Sequence, residues 1–489
     1  MGHKFMDYTV NPRRRFDILK DPVHGYICFT RYKLRPEEKA TEADLINSEW
    51  MQRLRKIRQL QTAWYVYPAA DHTRFAHALG VMELAGKFAR TVYEPFYKSV
   101  KGKIDNEPLP EIEHVVETFR VAGLLHDIGH GPLTHLLDRK YLKPKFGITH
   151  EDISGEIIEK ELKNIIEDIR RSPNGYFEEA LRVDIINNLI KKGGERNLDF
   201  IWKPLHQTIR GAYDADKMDF LLRDGLLCGE AGINNADVDR LMFTSLLHRK
   251  GNLFQLHHSS LPLLFSLIRF RQQMFETVYY HRTVRAFELI IEDTLEYVLN
   301  NLIPINPCDD LGSYKKLDEY AFYEHLKNLK EKTDTLSRSI FGIWDSIFKR
   351  NIKWKQIEDL PVAFHDPGQI RSHLEVSELA GRIERDTSKK CGKDFIVDSP
   401  PVETPGNVFS FSQDLTEQDK LLIYYEDRTS EPMHLERLAA KHRIPIKAIQ
   451  HRLYIHDSVS PDKAQKIRDS FRENLGEHTT YTSTSESSY

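Results

Sequence analysis

Residues 122–137 have the sequence AGLLHDIGHGPLTHLL, and this stretch decides how the fold is interpreted. The residues before it are largely apolar, and with them it predicts a buried helix over residues 112–128. The glycines and the proline of residues 129–132 interrupt that pattern because they do not continue a regular helix. The sequence therefore places His126 and Asp127 at the end of an apolar helix, next to a break.

Histidine is concentrated in and after this stretch. The 22 histidines among 489 residues average about one in any 25-residue window, yet residues 126–150 contain four, which are His126, His130, His135 and His150. An ionised carboxylate at the end of a buried helix is costly without a partner. A divalent metal is the partner that suits an imidazole and a carboxylate side by side.

The remaining ligands of such a metal must come from other segments. Adjacent side chains on a helix diverge by about 100°, so His126 and Asp127 would occupy neighbouring corners of a coordination sphere. Two candidates are His77, in DHTRFAHALGV, and Asp216, in GAYDADKMDFLLRD. Taken alone, such a histidine is more often a hydrogen-bonded core residue and such an aspartate more often a helix cap.

The composition describes an ordinary globular protein. Lys plus Arg is 70 and Asp plus Glu is 73, so the net charge of -3 does not predict broad binding to nucleic acid or to an anionic membrane. No signal peptide or spanning segment is predicted. The four cysteines form no CxxC pair and predict no disulfide framework, which favours a reducing cytoplasm.

The fold class predicted from these patterns is mainly α, with a helical core, short β-hairpins and a C-terminal α+β accessory lobe. Hairpins are predicted over residues 17–30 and 241–258. Helices are predicted over residues 48–60, 75–88, 112–128, 151–169, 177–191, 214–224 and 260–302. The predicted divisions are an N-terminal hairpin segment at 1–45, a core at 46–303, an accessory and oligomerisation lobe at 304–475, and a disordered tail at 476–489.

A basic stretch lies within the accessory lobe. Residues 435–452 carry five cations and suggest a helix-turn-helix; these are Arg437, Lys441, Arg443, Lys447 and Arg452. A solvated helical face is the simpler interpretation, and contact with an anion, a nucleotide or a nucleic acid is the alternative.

Four motifs in order resemble a known family. These are HTRFAHALG, LLHDIGHGPLTH, THED and DADKMDFLLRD, and they resemble the HD-domain phosphohydrolases, in particular the deoxynucleoside triphosphate (dNTP) triphosphohydrolases. The resemblance extends from KDPVHGYI through QRLRKIRQLQTAWYVYP to the YYHR segment, which is more than half of the chain.

The resemblance implies a metal site and a catalytic group. Its metal ligands are His77, His126, Asp127 and Asp216, and a mixed set of this kind accepts Mn, Mg, Fe, Ni, Co or Zn. The implied catalytic residues are His130, His150 and His135. Of these, His150 is the candidate proton donor to the leaving nucleoside oxygen, because histidine titrates nearest neutrality. For His135 a core hydrogen bond remains the alternative.

The resemblance also implies the residues that bind substrate. Those contacting the triphosphate are Arg74, Lys217 and Arg271. Those reading the sugar and excluding a 2′-hydroxyl are Gln59, Leu60 and Asp224, and Tyr279 flanks the sugar and base.

Some positions depart from the family pattern. Phe220 replaces a tyrosine that donates to phosphate in relatives. Asp17 and Asn47 replace a Lys and an Asp of the guanine-reading regulatory pocket of the vertebrate members, although Arg55 is retained. Activation by GTP of the vertebrate kind is therefore not predicted, whereas activation by another dNTP at subunit interfaces stays open.

The leading hypothesis is hydrolysis of dNTPs to deoxynucleoside and inorganic triphosphate by a metal-dependent enzyme, in a homo-oligomer that is a tetramer or hexamer. One alternative is an HD phosphohydrolase acting on a cyclic dinucleotide, a monophosphate or an alarmone, although the GYP motif of the cyclic dinucleotide class is missing. The other is a non-catalytic nucleotide sensor or nucleic-acid-binding protein, which the intact His77, His126, Asp127 and Asp216 disfavour.

Overall fold

The computed structural model describes residues 16–101, 109–248, 253–364, 375–402, 422–425, 430–432 and 447–476. Within them the fold is mainly α with small β-sheets, as predicted. The chain forms two compact units. The first comprises Met1–Phe270, Leu295–Asn328 and Leu421–Pro432, and the second comprises Arg271–Thr294, Leu329–Lys420 and Met433–Tyr489. These units do not follow the predicted divisions, which stay a prediction.

The elements are as follows, in chain order. The described α-helices are α1 (Glu42–Ile46), α2 (Glu49–Arg53), α3 (Arg74–Val100), α4 (Ile112–Leu125), α5 (Thr134–Leu137), α6 (Lys143–Phe146), α7 (His150–Ile157), α8 (Lys163–Asp168), α9 (Val183–Ile190), α10 (Trp202–Leu205), α11 (Ala215–Cys228), α12 (Asn235–Phe243), α13 (Leu261–Met274), α14 (Arg282–Leu302), α15 (Leu311–Lys315), α16 (Glu319–Glu331), α17 (Thr335–Phe348), α18 (Val376–Thr387) and α19 (Pro461–Gly476). The described strands are β1 (Asp17–Asp21), β2 (Gly25–Phe29), β3 (Ser245–Leu247), β4 (Phe254–His257), β5 (Trp354–Phe364), β6 (Phe395–Asp398), β7 (Pro401–Val402), β8 (Leu422–Tyr424), β9 (Ser430–Pro432) and β10 (Lys447–His456).

Both predicted hairpins are confirmed. Strands β1 and β2 pair antiparallel, with Asp17 opposite Phe29. Strands β3 and β4 also pair antiparallel, and β4 continues into a four-stranded sheet in the order β3-β4-β8-β9. The Lys-Gly-Asn turn predicted near residue 251 lies outside the described residues.

The core of the first unit is the packing of α3 against α4. Both helices are lined with buried apolar side chains. At Gly123 the two backbones approach so closely that an added Cβ would lie 2.8 Å from the carbonyl oxygen of Val81. A larger residue there would push the helices apart, and with them the residues that follow α4.

Four predicted helices differ from the observed ones, and one of them, predicted over 75–88, extends from Arg74 to Val100. The helix predicted over 48–60 is only α2 and a short 3₁₀ turn, because residues 57–59 bond residues 72–74 instead: Arg74 donates its backbone N–H to Ile57 and Gln59 donates to His72. The one predicted over 177–191 begins only at Val183. The one predicted over 260–302 is broken between α13 and α14 after a π-helical segment, Phe275–Tyr279.

Capping residues fix the starts of α7 and α11, whose first turns contain His150 and Asp216. The Asp214 side chain accepts from the backbone N–H of Lys217 at 2.8 Å and begins α11. Thr149 and Asp152 form a capping box that begins α7 at His150. Polar residues are thereby held in the first turns of both helices.

The second unit contains an antiparallel sheet in the order β5-β10-β6, with β7 also paired to β10. Its core includes Leu379 and Ile383 of α18, Leu453 of β10 and Phe471 of α19. This α+β arrangement agrees with the predicted character of the accessory lobe.

The helix-turn-helix suggested for residues 435–452 is wrong where the structure describes it. Residues from Lys447 onwards form strand β10, and Arg452 is buried, with its guanidinium donating to the Tyr280 carbonyl and lying 3.3 Å from Asp359. A pairing partner in β5 overrides the helical pattern, so Arg452 is not part of a solvated basic face. The cations at 437, 441 and 443 lie outside the described residues.

Two further findings concern membrane-spanning helices and disulfides in the described residues. In that part of the chain, no helix is long and apolar enough to cross a membrane. The four cysteines are free thiols.

A buried ion cluster links the N-terminal hairpin to the α3 and α4 helices. Arg120 donates to Glu42 at 2.6 Å, to the Cys28 carbonyl at 2.6 Å and to Glu83 at 3.0 Å, and its Nε lies 3.8 Å from Glu117. Burial raises the pKa of Glu117 well above its usual value, and nearby Glu42 raises it further. One guanidinium therefore compensates several carboxylates in the core.

We predict that Arg120→Met destabilises the first unit by about 3–5 kcal/mol, because it leaves Glu42 buried without its cation. Denaturant-induced unfolding followed by tryptophan fluorescence measures the loss. Arg182→Met is the matched control, since Arg182 pairs with Asp184 where both side chains are 60% exposed, and it should cost less than about 1 kcal/mol. Equal losses in the two variants would contradict the role given to Arg120.

Candidate functional site

Three helices bring together four residues that are far apart in sequence. His77 lies in the first turn of α3, His126 and Asp127 follow α4, and Asp216 lies in the first turn of α11. His77 Nε2 is 3.1 Å from Asp216 Oδ1 and 3.8 Å from Asp127 Oδ2. His126 Nε2 is 3.4 Å from Asp127 Oδ2 and 3.7 Å from Asp216 Oδ1. The ligand set implied by the sequence is therefore one cluster in space.

The hydrogen bonds of the two imidazoles point their second nitrogens into this cluster. His77 Nδ1 is 2.7 Å from Asp219, and His126 Nδ1 is 2.8 Å from the Gly123 carbonyl. Both partners are acceptors, so each Nδ1 carries the proton and each Nε2 presents a lone pair in the neutral ring. His126 Nε2 is buried and has no hydrogen-bond partner among the described residues.

Lone pairs and carboxylate oxygens thus face one another, an arrangement that needs a positive charge between them. Burial alone would lower the pKa of His77, but the carboxylates of Asp216 and Asp219 raise it overall. Likewise, burial opposes the charged form of His126, yet Asp127 and Asp216 raise its pKa well above the usual value. The possible metal-ligand atoms of His77, His126 and Asp127 lie within 4.8 Å of one another. This chemistry fits a divalent metal ion held by nitrogen and oxygen ligands.

Asp127 is stabilised as an anion by its surroundings. Burial alone would raise the pKa of Asp127, but the Arg74 guanidinium in contact with it, and then His126 and His130, hold the pKa well below its usual value. Its second oxygen, Oδ1, lies 3.5 Å from His130 Nε2. Asp127 therefore connects the first cluster to a second one.

The second cluster consists of His130, His135, Asp138 and His150. The rings of His130 and His150 are stacked with centroids 3.6 Å apart, and His150 Nδ1 lies 2.5 Å from Asp138 Oδ2. His150 also donates its backbone N–H to Asp138. Burial lowers the pKa of His130 well below its usual value, and Arg74 and His150 lower it further, so His130 is neutral near pH 7.

His135 is placed differently from its neighbours. Its side chain is 59% exposed and its Nδ1 is 3.9 Å from Asp138, so the expected alternative of a core hydrogen bond is wrong. Leu133 and Thr134, just before it, have positive φ angles of 61° and 45°. This strained turn after the glycine break directs the short helix α5 toward the cluster.

Sequence reasoning missed Asp138. It lies just after residues 122–137, three residues after His135, and its pairing with His150 depends on a contact between α7 and the π-helical turn that follows α5. The spacing of His135 and Asp138 was the available signal.

An open cleft of about 250 Å³ gives access to both clusters. Two of the three predicted phosphate-binding cations, Arg74 and Lys217, line it, and Arg210, which was not predicted, also does. Lys217 pairs with Asp214, and Arg210 donates to Glu151 at 2.7 Å. Phe220 lines the same cleft without a hydroxyl to offer.

The predicted sugar-reading residues are connected through His72. Gln59 donates its backbone N–H to the His72 carbonyl at 2.9 Å, and His72 Nε2 lies 2.7 Å from Asp224 Oδ1. Gln59 lines the cleft and Leu60 beside it is buried. Gln59 thus contacts the backbone of His72, and Asp224 contacts its side chain.

The last two predicted substrate residues belong to the second compact unit. The guanidinium carbon of Arg271 lies 5.7 Å from the ring centroid of Phe275, and the Tyr279 ring lies 4.9 Å from the same ring. Their roles toward substrate stay predictions.

Comparisons with known proteins agree with the motifs. Residues 74–219 match the model of the HD domain family. A deoxynucleoside triphosphate triphosphohydrolase SAMHD1 homolog of Dictyostelium discoideum is 25% identical over 96% of this chain and 83% of its own length. The SAMHD1 deoxynucleoside triphosphate triphosphohydrolase of Bos taurus is 26% identical over 73% of this chain, which aligns with only 64% of the bovine protein.

A solved structure supports the fold. A hypothetical protein from Aquifex aeolicus superposes with a TM-score of 0.63 and 20% sequence identity, covering 92% of this chain and 100% of its own. Matched by the HD-domain model and by relatives along most of its length, the chain belongs to the HD-domain, dNTP-triphosphohydrolase-like family of phosphohydrolases.

Proposed function

We propose that the chain hydrolyses dNTPs to a deoxynucleoside and inorganic triphosphate. The main support for the proposal is that the two clusters are adjacent and share Asp127. Asp127 Oδ2 lies 3.4 Å from His126 in the first cluster, and its Oδ1 lies 3.5 Å from His130 and 3.9 Å from His150 in the second. Two cations, Arg74 and Lys217, line the same cleft. A metal site, two cations and a proton donor in one cleft suit a substrate that carries a triphosphate group.

His77, His126, Asp127 and Asp216 would hold the metal, whether Mn, Mg, Fe, Ni, Co or Zn. When bound, a divalent cation supplies polarisation of a phosphoryl oxygen and a lowered pKa for water in the site. The order of intrinsic affinities does not select among these metals, because geometry and availability decide occupancy.

His150 is proposed as the proton donor to the departing nucleoside oxygen. Asp138 contacts its Nδ1, which orients the ring, while Nε2 is left for the substrate. The stacked neighbour His130 is held neutral by burial, which lowers its pKa well below the usual value. His135, exposed at the cleft, assists from nearby.

Arg74 and Lys217 would bind the phosphates, and Arg271, in the second unit, stays a separate prediction as a phosphate-binding residue. Gln59 and Asp224 are proposed to bond the 3′-hydroxyl, while packing of Leu60 excludes a 2′-hydroxyl, and Tyr279 is proposed to flank the base. Phe220 offers no hydroxyl, so one phosphate contact made in relatives is absent by chemistry.

We further propose a cytoplasmic homo-oligomer, a tetramer or hexamer, with a dNTP other than the vertebrate guanine activator at its interfaces. Asp17, which the resemblance matches to a lysine of the vertebrate pocket, accepts a hydrogen bond from Arg31 at 2.6 Å. Arg55 lies over the Phe75 ring at 3.7 Å, so its flat face is already stacked.

The first prediction from this proposal concerns products. With Mn or Mg, chromatography should find deoxynucleoside and triphosphate in equal amounts from at least one dNTP, alone or in a mixture, and Asp127→Ala should abolish both. Release of orthophosphate or pyrophosphate alone would contradict the reaction. Turnover of a cyclic dinucleotide, monophosphate or alarmone instead would support the alternative HD phosphohydrolase.

The second prediction concerns proton transfer. His150→Ala should lower kcat by about 10²–10⁴-fold, because general acid catalysis contributes this much, and Asp138→Asn should lower it in the same direction. Binding of Mn²⁺ should be unchanged in both variants. His456→Ala serves as the control, since His456 bonds Ser458 at the end of β10. Unaltered kcat in His150→Ala would refute the assignment.

The third prediction concerns the sugar. Leu60→Ala should reduce the preference for dNTP over the matching ribonucleotide by about 10–200-fold in kcat/KM, the range expected when packing alone discriminates. The control is Leu226→Ala, at a leucine that is 55% exposed on α11. A preference that stays intact in Leu60→Ala would assign discrimination to other residues.

A further inference from the structure

The tip of the N-terminal hairpin is connected to the cluster of His77, His126, Asp127 and Asp216 through a single carboxylate. His24, in the turn between β1 and β2, places Nε2 2.6 Å from Asp219 Oδ1. Asp219 Oδ2 lies 2.7 Å from His77 Nδ1. His24 is thus two contacts away from the Nε2 atom that His77 turns toward Asp216.

Asp219 is fully occupied by donors. Besides the two histidines it accepts from Arg223 through Nε at 3.0 Å and Nη2 at 2.9 Å. Its side chain is 0% exposed. A carboxylate held from four directions cannot rotate without breaking a buried hydrogen bond, so it fixes the ring of His77.

The hairpin tip is itself held in place. Asp21 accepts the backbone N–H groups of Val23 at 3.0 Å and His24 at 2.9 Å, and its carboxylate also receives Arg223. Asn235 donates to the Val23 carbonyl at 2.6 Å. The side chain of His24 is 5% exposed. These contacts anchor an imidazole whose distance in sequence from Asp219 is 195 residues.

Helix α3 leaves room for this arrangement at one position. A Cβ on Gly80 would lie 1.8 Å from Asp219 Oδ1 and 2.5 Å from Arg223 Nη2. Because Gly80 lies one turn after His77, any side chain there would displace the carboxylate from the ring that it holds. The absence of a side chain at Gly80 therefore matches the position of Asp219.

We propose that His24 is a positioning residue of the metal site, acting through Asp219 to aim His77 Nε2 at the ion. The inference rests on the proposed metal ligands. Hydrogen-bond partners of a ligating histidine fix its tautomer and orientation, and their loss weakens metal binding. The N-terminal hairpin then serves the metal centre directly, in addition to pairing its own strands.

The test is a calorimetric titration of the metal-free full-length chain with Mn²⁺ alone. It is carried out on the wild type, His24→Ala and His24→Gln. We expect His24→Ala to raise the Kd for Mn²⁺ by about 10-fold or more, within the range of 10–100-fold found when such partners are lost. His24→Gln keeps an N–H donor and should restore most of the affinity. Tyr26→Ala, at a 61% exposed residue of β2, is the control and should bind as the wild type does.

Outcomes separate the inference from the proposed function. A lower melting temperature of His24→Ala with wild-type Mn²⁺ affinity would make His24 merely structural and overturn the inference. Asp219→Asn gives a second measurement, with a loss at least as large as that of His24→Ala. A wild type that binds Mn²⁺ but hydrolyses no dNTP would refute the proposed reaction and leave the inference supported by the titration. A wild type that binds no Mn²⁺ would overturn the inference alone, because the proposed reaction is tested separately by product analysis with Mg.

Discussion

The site depends on burying carboxylates beside imidazoles whose lone pairs face them. Asp127 lies at the end of an apolar helix, where an ionised group is costly without compensation. Arg74 offsets part of that cost on one side, and the two histidine Nε2 atoms present no fixed proton on the other. The cluster therefore gains from a cation, and this requirement accounts for the residues around it.

The surrounding network divides the work among separate carboxylates. Asp219 contacts Nδ1 of His77, and Asp138 contacts Nδ1 of His150. Asp127 lies between the two histidine groups. Each of these acids contacts a ring nitrogen, so ring orientation is set by hydrogen bonds rather than by packing alone. The division separates the atoms proposed to hold a metal from those proposed to move a proton.

Much of this site could be predicted from sequence because its key residues lie in short motifs. His126 and Asp127 were recognisable from an apolar helix that ends at a glycine break, and His77 and Asp216 followed from family order. Asp138 and His24 were not found, because their importance lies in contacts with His150 and Asp219 that only the folded chain creates. A local pattern carries no information about a partner 195 positions away.

The same limit explains the errors in the fold. Residues 57–59 have helical periodicity but bond to residues 72–74, and residues from Lys447 onwards pair with β5 instead of forming a helix. In both cases a distant strand-like partner outweighed local propensity. Helices α4 and α11 were predicted closely because their apolar faces are continuous, and glycine follows the end of each. The start of α3 was also predicted, but its end was not, since the helix continues past residue 88 to Val100.

One divalent cation is proposed to lie among His77, His126, Asp127 and Asp216. The most direct measurement is an anomalous difference map from crystals grown with Mn²⁺. We expect a peak about 2.0–2.3 Å from two imidazole nitrogens and the carboxylate oxygens of that cluster, in the usual range for such ligands. A map with no peak there, or with its peak among His130, His135, Asp138 and His150, would contradict it.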